Sequence, residues 1–137
     1  MVKTFMMEFA ESYKHLEVYK YAKHLAKDIF EYSKSFPREE TYSLTDQVRR
    51  SSRSIGAQIA EAWGKRRYEK HFVSKLTDAD GEQLETQHWI EIATTCGYIP
   101  NEMSTELTNR CISIGKILNS MISKSAMFCR KPNETNH

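Results

Sequence analysis

No stretch of this sequence approaches the roughly 18 apolar residues that a membrane-crossing helix needs, so no membrane partner is expected. The opening residues, MVKTFMMEFAES, contain no apolar run suited to a secretory leader, and Glu8 interrupts them early. Cysteine is sparse: Cys96, Cys111 and Cys129 are an odd number with no CxxC spacing. Together these absences point to a reduced, cytoplasmic setting. Net charge is only +2, so a nucleic-acid or membrane reading must rest on where charges sit. No segment alternates at period two with β-branched enrichment, so no strand is expected. There is no P-loop, no dinucleotide fingerprint and no GxSxG elbow. An enzyme is not expected, and no cofactor is implied.

What remains is helical. The 137 residues, 39% hydrophobic and 28% charged, suit one globular domain spanning residues 1–137. A chain of this length can bury a core without disulfides or a metal. Val18, Ala22, Leu25, Ile29, Tyr32 and Phe36 recur at 4-3-4-3-4 spacing and predict a first helix over about 14–36, ended by Pro37. Leu44, Val48, Ser51/Ser52, Ile55, Ile59 and Trp63 predict a second over about 44–63, capped by Ser43 or Thr45 and stopped by Gly64. Phe72, Leu76, Ala79, Gln83, Ile90 and Ala93 mark a third over about 68–96, closed by Gly97 and Pro100. Leu107, Cys111, Ile114, Leu118, Met121 and Ser125 mark a fourth over about 101–127, with residues 128–137 as a frayed polar tail. Short connections between long helices make antiparallel neighbours the default, so the fold expected is an all-α, up-down four-helix bundle. Gly56, Gly81 and Gly115 fall inside helices, where each costs about 1 kcal/mol relative to alanine, which suggests close backbone approach between helices or subunits.

A family pattern lies on these helices. Gln47-Val48-Arg49-Arg50, then Ser54-Ile55-Gly56-Ala57-Gln58-Ile59-Ala60-Glu61, resembles the QxRR…SIxxNIAEG signature of the four-helix-bundle proteins encoded in intervening sequences of 23S ribosomal RNA genes. Gly81-Glu82-Gln83-Leu84-Glu85-Thr86, followed by Cys96-Gly97-Tyr98-Ile99, is similar to that family's second block. Leu16-Glu17-Val18-Tyr19 and Phe36-Pro37 match its first-helix pattern, and the resemblance covers roughly residues 16 to 123. Gln58 stands where the family has Asn, Ala62 where it has Gly, and Tyr68 where a Ser-type cap is common. More distantly, the chain resembles the accessory proteins of diversity-generating retroelements, which are barrel-shaped pentamers binding nucleic acid and a reverse transcriptase. The resemblance implies a ring-shaped homo-oligomer, commonly a pentamer, with no established catalytic activity. It marks Gln47, Arg50, Ser54, Gln58, Glu61, Glu82 and Glu85 as the structural motif.

Charge is unevenly placed. Between Arg49 and His71 there are seven Lys or Arg against two acids; between Leu76 and Asn109 there are seven acids and no Lys or Arg. Arg49 and Arg53 share a helix face, and Lys65, Arg66, Arg67 and Lys70 crowd a helix end and the turn after it. Such a set suits RNA or DNA phosphates, with guanidinium forks on oxygens and counterions released. Alternatively, the basic second helix and the acidic third pair with each other, within a protomer or across subunits, setting register and partner choice. Arg50 with Glu61, Glu82 or Glu85 is the prime candidate for such pairing, and a partner buried there would strand a charge when its mate is removed. The chain would then be a protein-interaction adaptor that does not bind nucleic acid.

Other constellations are weaker. Glu85-x-x-His88 is half of a di-iron motif, but no second Glu-x-x-His exists, so no metal site is expected. Cys111 lies on the fourth seam and reads as a small core residue. Trp63 and Trp89 fit a core or subunit interface better than a base-stacking role.

Overall fold

The computed structural model describes residues 11–129. The readings made on the first ten residues and on residues 130–137 lie outside them. Four long helices follow one another: α1 (Glu17–Ser33), α2 (Asp46–Gly64), α3 (Glu69–Thr95) and α4 (Asn101–Ser123). A four-residue helix, α5 (Ser125–Phe128), ends the described chain, and no strand occurs among the described residues. Each long helix packs on the next, α2 against α3 most extensively, and α1 meets α4 least. Short links between sequential neighbours close the four into a helical bundle.

Every residue assigned to the second, third and fourth seams is buried; of the first seam, Tyr32 and Phe36 are only half-buried, and α1 ends at Ser33, before Phe36 and Pro37. Leu25, Ile55, Ile59, Phe72, Leu76, Cys111 and Leu118 exclude solvent completely. The seam of α3 turns polar halfway along, where Gln83 and Thr86 are buried among apolar neighbours. Burying such groups is costly unless they find partners. They do: the Thr86 hydroxyl donates to Ser51 Oγ (2.9 Å), and the Gln83 amide donates to Asp80 (2.9 Å) and accepts from Gln87 (2.7 Å). Gly115 of α4 faces this polar layer, and a Cβ there would lie 2.7 Å from Gln83 Nε2.

The helix ends differ from expectation. Thr45 occupies the N-cap of α2, but its side chain makes no capping hydrogen bond, and Ser43 lies inside a π turn (Thr41–Thr45) that follows a 3-10 turn (Arg38–Glu40) and runs straight into the helix. Gly64 does not stop α2 by left-handed backbone, because only Gly97 among the described residues has positive φ, at 78°. At Gly97 the close of α3 is a Schellman motif, with Gly97 N–H on the Thr94 carbonyl and Tyr98 N–H on the Ala93 carbonyl. The fourth helix breaks at Lys124, three residues before its expected end. Phe128, assigned to a frayed tail, is instead buried, with its ring stacked on Phe72 at 5.7 Å.

The three internal glycines divide. Gly115 is tight against Gln83, Gly56 is in ordinary contact with Tyr19 (3.4 Å), and Gly81 has nothing within 4 Å of a would-be Cβ. Close approach within the protomer therefore explains Gly115 alone.

Candidate nucleic-acid interface

The buried stripe of α2, from Val48 through Trp63, fixes where its arginines point. Arg50 lies on the flank that meets α3. Its guanidinium reaches Glu82 (3.5 Å) and, more closely, Glu85. Trp89 Nε1 donates to the same Glu85 oxygen at 3.0 Å. That bond, together with Arg50, holds the Glu85 carboxyl below its usual range; Glu85 in turn raises Arg50. The signature arginine and the second-block glutamates thus meet as one cross-helix link. Glu61, the other acid considered for Arg50, pairs instead with Lys75 of α3 (3.0 Å). Arg50 is 48% exposed, so it is not a buried charge, and its removal strands nothing in a dry interior.

Arg49 and Arg53 take a different course, toward α1. Both guanidinium groups lie over the Phe30 ring, at 4.6 and 5.3 Å from its centre, and Lys34 Nζ sits 4.9 Å from the same centre. Arg49 Nε also donates to Ser33 Oγ at 2.7 Å. Three cations gathered around one aromatic ring are held by its quadrupole, and Lys34 is also paired with Glu31 (3.2 Å). An open groove of about 540 Å³ runs beside them, lined by Asp46, Arg50, Arg53, Ser54 and Ala57.

The remaining basic residues sit at the α2–α3 turn. Arg66 stacks on the Trp63 ring (3.6 Å) and donates through Nε to the Trp63 carbonyl (2.9 Å). Trp63 itself is buried, in line with its place on the core stripe. Lys65, Arg67 and Lys70 are exposed and make no ion pair among the described residues. The Arg67 guanidinium lies 5.9 Å from the Tyr68 ring centre, and the His71 ring centre lies 5.5 Å from it. The six residues assigned to nucleic acid are therefore two patches, since about 22 Å of helix separates Arg49 from Gly64.

Of the other motif residues, Ser54 lines the groove and Gln47 is half-buried. Gln58 places Oε1 in a buried position with no hydrogen-bond partner among the described residues. The first-helix and second-block pieces of the signature also meet, as the Phe36 and Tyr98 rings lie 5.7 Å apart. Tyr98 Oη donates to Glu40 (2.8 Å), which pushes its pKa up to about 12. His88 packs edge-on against Trp89, and among the described residues no three His, Cys, Asp or Glu side chains gather to hold an ion. Burial pushes the Cys111 thiol up to about 12, which leaves it unreactive at neutral pH. Phe30, Tyr68 and His71 were not among the residues singled out from sequence as ligand-facing. Phe30 sits off the first seam, and Tyr68 stood out only as an unusual residue for a cap.

The model of the 23S rRNA-intervening sequence protein family matches residues 14–120. The chain belongs to that family. A crystal structure of a protein of unknown function from the S23 ribosomal protein family of Bacteroides thetaiotaomicron VPI-5482 is 31% identical to it. That similarity covers 77% of this chain and 95% of the other, with a TM-score of 0.71. A search of curated proteins found no match. Set on this family frame, the Arg50–Glu82–Glu85 link and the Phe36–Tyr98 contact show what much of the signature does: it joins helices and connections. The turn residues Lys65, Arg67 and Lys70 fall inside the family match but perform no such service.

Proposed function

We propose that this member of the 23S rRNA-intervening sequence protein family is a non-catalytic scaffold, a homopentameric ring, that binds the backbone of RNA or DNA in the cytoplasm. The observation that carries the binding is the fate of the α2–α3 charge asymmetry. Pairing between those helices uses Arg50 from one side and Lys75 from the other. Lys65, Arg67 and Lys70 take no part in it and face solvent. The adaptor alternative, in which the basic residues serve contacts between acidic and basic helices, accounts for Arg50 but not for this turn.

Self-assembly has separate support. The weakest seam of the bundle, between α1 and α4, opens into a groove of about 690 Å³ lined in part by Tyr21, Arg110, Ile114 and Ile117. Tyr21 and Ile112 stand exposed on those two helices. In a ring each protomer would repeat the basic turn, and linked weak sites gain avidity without new contacts. The three free cysteines suit a reducing compartment, and none of the described helices is long and apolar enough to cross a membrane.

Gel shifts on structured RNA and duplex DNA from low to physiological salt test the reading. Binding should be strong at low salt and weaken steeply as salt rises. The triple reversal Lys65→Glu, Arg67→Glu, Lys70→Glu should abolish it while leaving the assembly intact. Arg66 is left unaltered because it also packs on Trp63. No shift at low salt, or a shift indifferent to the reversal, would refute nucleic-acid binding. Light scattering should return five times the 16.0 kDa protomer mass, and a monomer at micromolar concentration would refute the ring.

A further inference from the structure

The α2–α3 turn carries more than charge. Tyr68 occupies the N-cap of α3, yet its side chain makes no capping hydrogen bond, and its ring is 57% exposed. Capping favours a small polar side chain, so local structure gives no reason for a tyrosine here. An apolar ring in that position contributes little to the core either, because Trp63 and Phe72 already fill the neighbouring buried space. What the ring does have is a setting. The Arg67 guanidinium lies 5.9 Å from its centre and the His71 ring centre 5.5 Å from it, with the planes of the Tyr68 and His71 rings inclined at 50°. Lys65 and Lys70 are exposed nearby in the chain, and the one acid in the turn, Glu69, accepts a hydrogen bond from Ser125.

An exposed aromatic beside a guanidinium and an imidazole, in a turn that carries two further ammonium groups, suits an unpaired nucleotide. The base offers a π face for the tyrosine, and the phosphates on either side of it meet the cations. A duplex offers only its phosphates, because its bases are stacked on one another. We infer that Tyr68, flanked by Arg67 and His71, forms a stacking platform for an unpaired nucleobase, and that the preferred ligand of this turn is a single strand. This rests on the nucleic-acid reading above and narrows it to a class of substrate.

Three probes separate the two layers: a short oligothymidylate, a strand of equal length made of abasic deoxyribose phosphates, and a duplex of equal length. Fluorescence anisotropy is read at fixed low salt with the full chain. Wild type should bind oligothymidylate about 5- to 150-fold more tightly than the abasic strand, the span expected for stacking one base. Tyr68→Leu should lose that preference and leave abasic and duplex binding unchanged, whereas Tyr68→Phe should retain it because stacking needs no hydroxyl. Circular dichroism and light scattering confirm that each variant keeps its fold and assembly. Equal affinity for base-bearing and abasic strands, or an equal loss on all three probes with Tyr68→Leu, overturns the platform and leaves backbone binding standing. Failure of wild type to bind any of the three overturns both.

Discussion

The substitution of glycine by alanine should have opposite signs at two positions of this bundle. At Gly81, exposed on α3 with open space around the would-be Cβ, alanine gains helix propensity and meets nothing. The expected effect is a stabilisation of about 0.5–1 kcal/mol. At Gly115 the same propensity gain applies, but the methyl group arrives 2.7 Å from Gln83 Nε2 and 3.1 Å from Asp80 Oδ1. The amide must move, and it holds hydrogen bonds to Asp80 and Gln87 in a site that is almost fully buried. Losing one or both costs about 1 kcal/mol each, with a further about 1–3 kcal/mol if a buried amide atom is left unpaired. With the propensity gain of about 0.5–1 kcal/mol set against these costs, the net expectation for Gly115→Ala is a loss of about 1–4 kcal/mol. Urea unfolding followed by far-UV circular dichroism reads both variants, and the two should bracket wild type. A Gly115→Ala protein as stable as wild type would show that the Gln83 amide swings aside freely, which refutes the account of the polar layer. A destabilised Gly81→Ala would show that another chain's backbone reaches that helix in the assembly.

Further outcomes follow from the same contacts. Arg50→Ala should cost about 0.5–1.5 kcal/mol by the same assay, the scale of a partly solvated, hydrogen-bonded ion pair and not of a stranded buried charge. Because Glu85 is held below its usual pKa, its contribution is full above the unfolded carboxylate value and fades as pH falls through the folded one; Glu85→Gln should therefore flatten the acid limb of a stability-versus-pH curve below about pH 4.5. A thiol reagent at neutral pH should label exposed Cys96 rapidly and half-buried Cys129 slowly, with Cys111 protected until urea unfolds the chain. Phe128→Ala should lower stability by about 3 kcal/mol through the lost ring stack on Phe72, an effect that a frayed residue would not show.

The apolar seams were legible because helical spacing is a direct image of burial: positions repeating every three or four residues share a face, and that face is inside. Gln83 was read onto the α3 seam by the same spacing, although Thr86 was not. Helix ends were less legible. Ser43 and Thr45 have the chemistry of caps, yet Thr45 takes the N-cap position without a capping hydrogen bond and Ser43 falls inside a π turn, which nothing in the residue types announces. α2 does end at Gly64, but without the left-handed backbone that Gly97 adopts at the end of α3, and residue type alone does not say which glycine will turn left-handed. Phe128 lies three residues beyond Ser125 and so continues the 4-3 spacing; its burial is legible there, and only the polar residues that follow it suggest a frayed tail. The Arg50–Glu82–Glu85 link was within reach of sequence, whereas its exposure was not, since solvent access depends on how far α3 overhangs α2.

The basic segment from Arg49 to Lys70 shows why a charge run is not one property. Helical geometry sends Arg50 to α3, where carboxylates wait, and sends Arg49 and Arg53 a third of a turn away to α1, where the acceptor is a phenyl ring. Past the end of α2 no helix imposes a face on Lys65 and Arg67, and Lys70 lies on the exposed first turn of α3, so all three point into solvent. The first arrangement neutralises charge internally. The second concentrates positive charge on an aromatic surface without neutralising it, beside an open groove. The third leaves it available to any polyanion. A ligand that reached from the turn to the Phe30 cluster would have to follow the length of α2, about 22 Å, which a strand of several nucleotides can span and a single phosphate group cannot. If both patches engage one strand, Arg53→Glu should weaken binding of long oligonucleotides and leave short ones, held at the turn alone, unaffected. Equal weakening at both lengths would place Arg53 in the fold or the assembly instead.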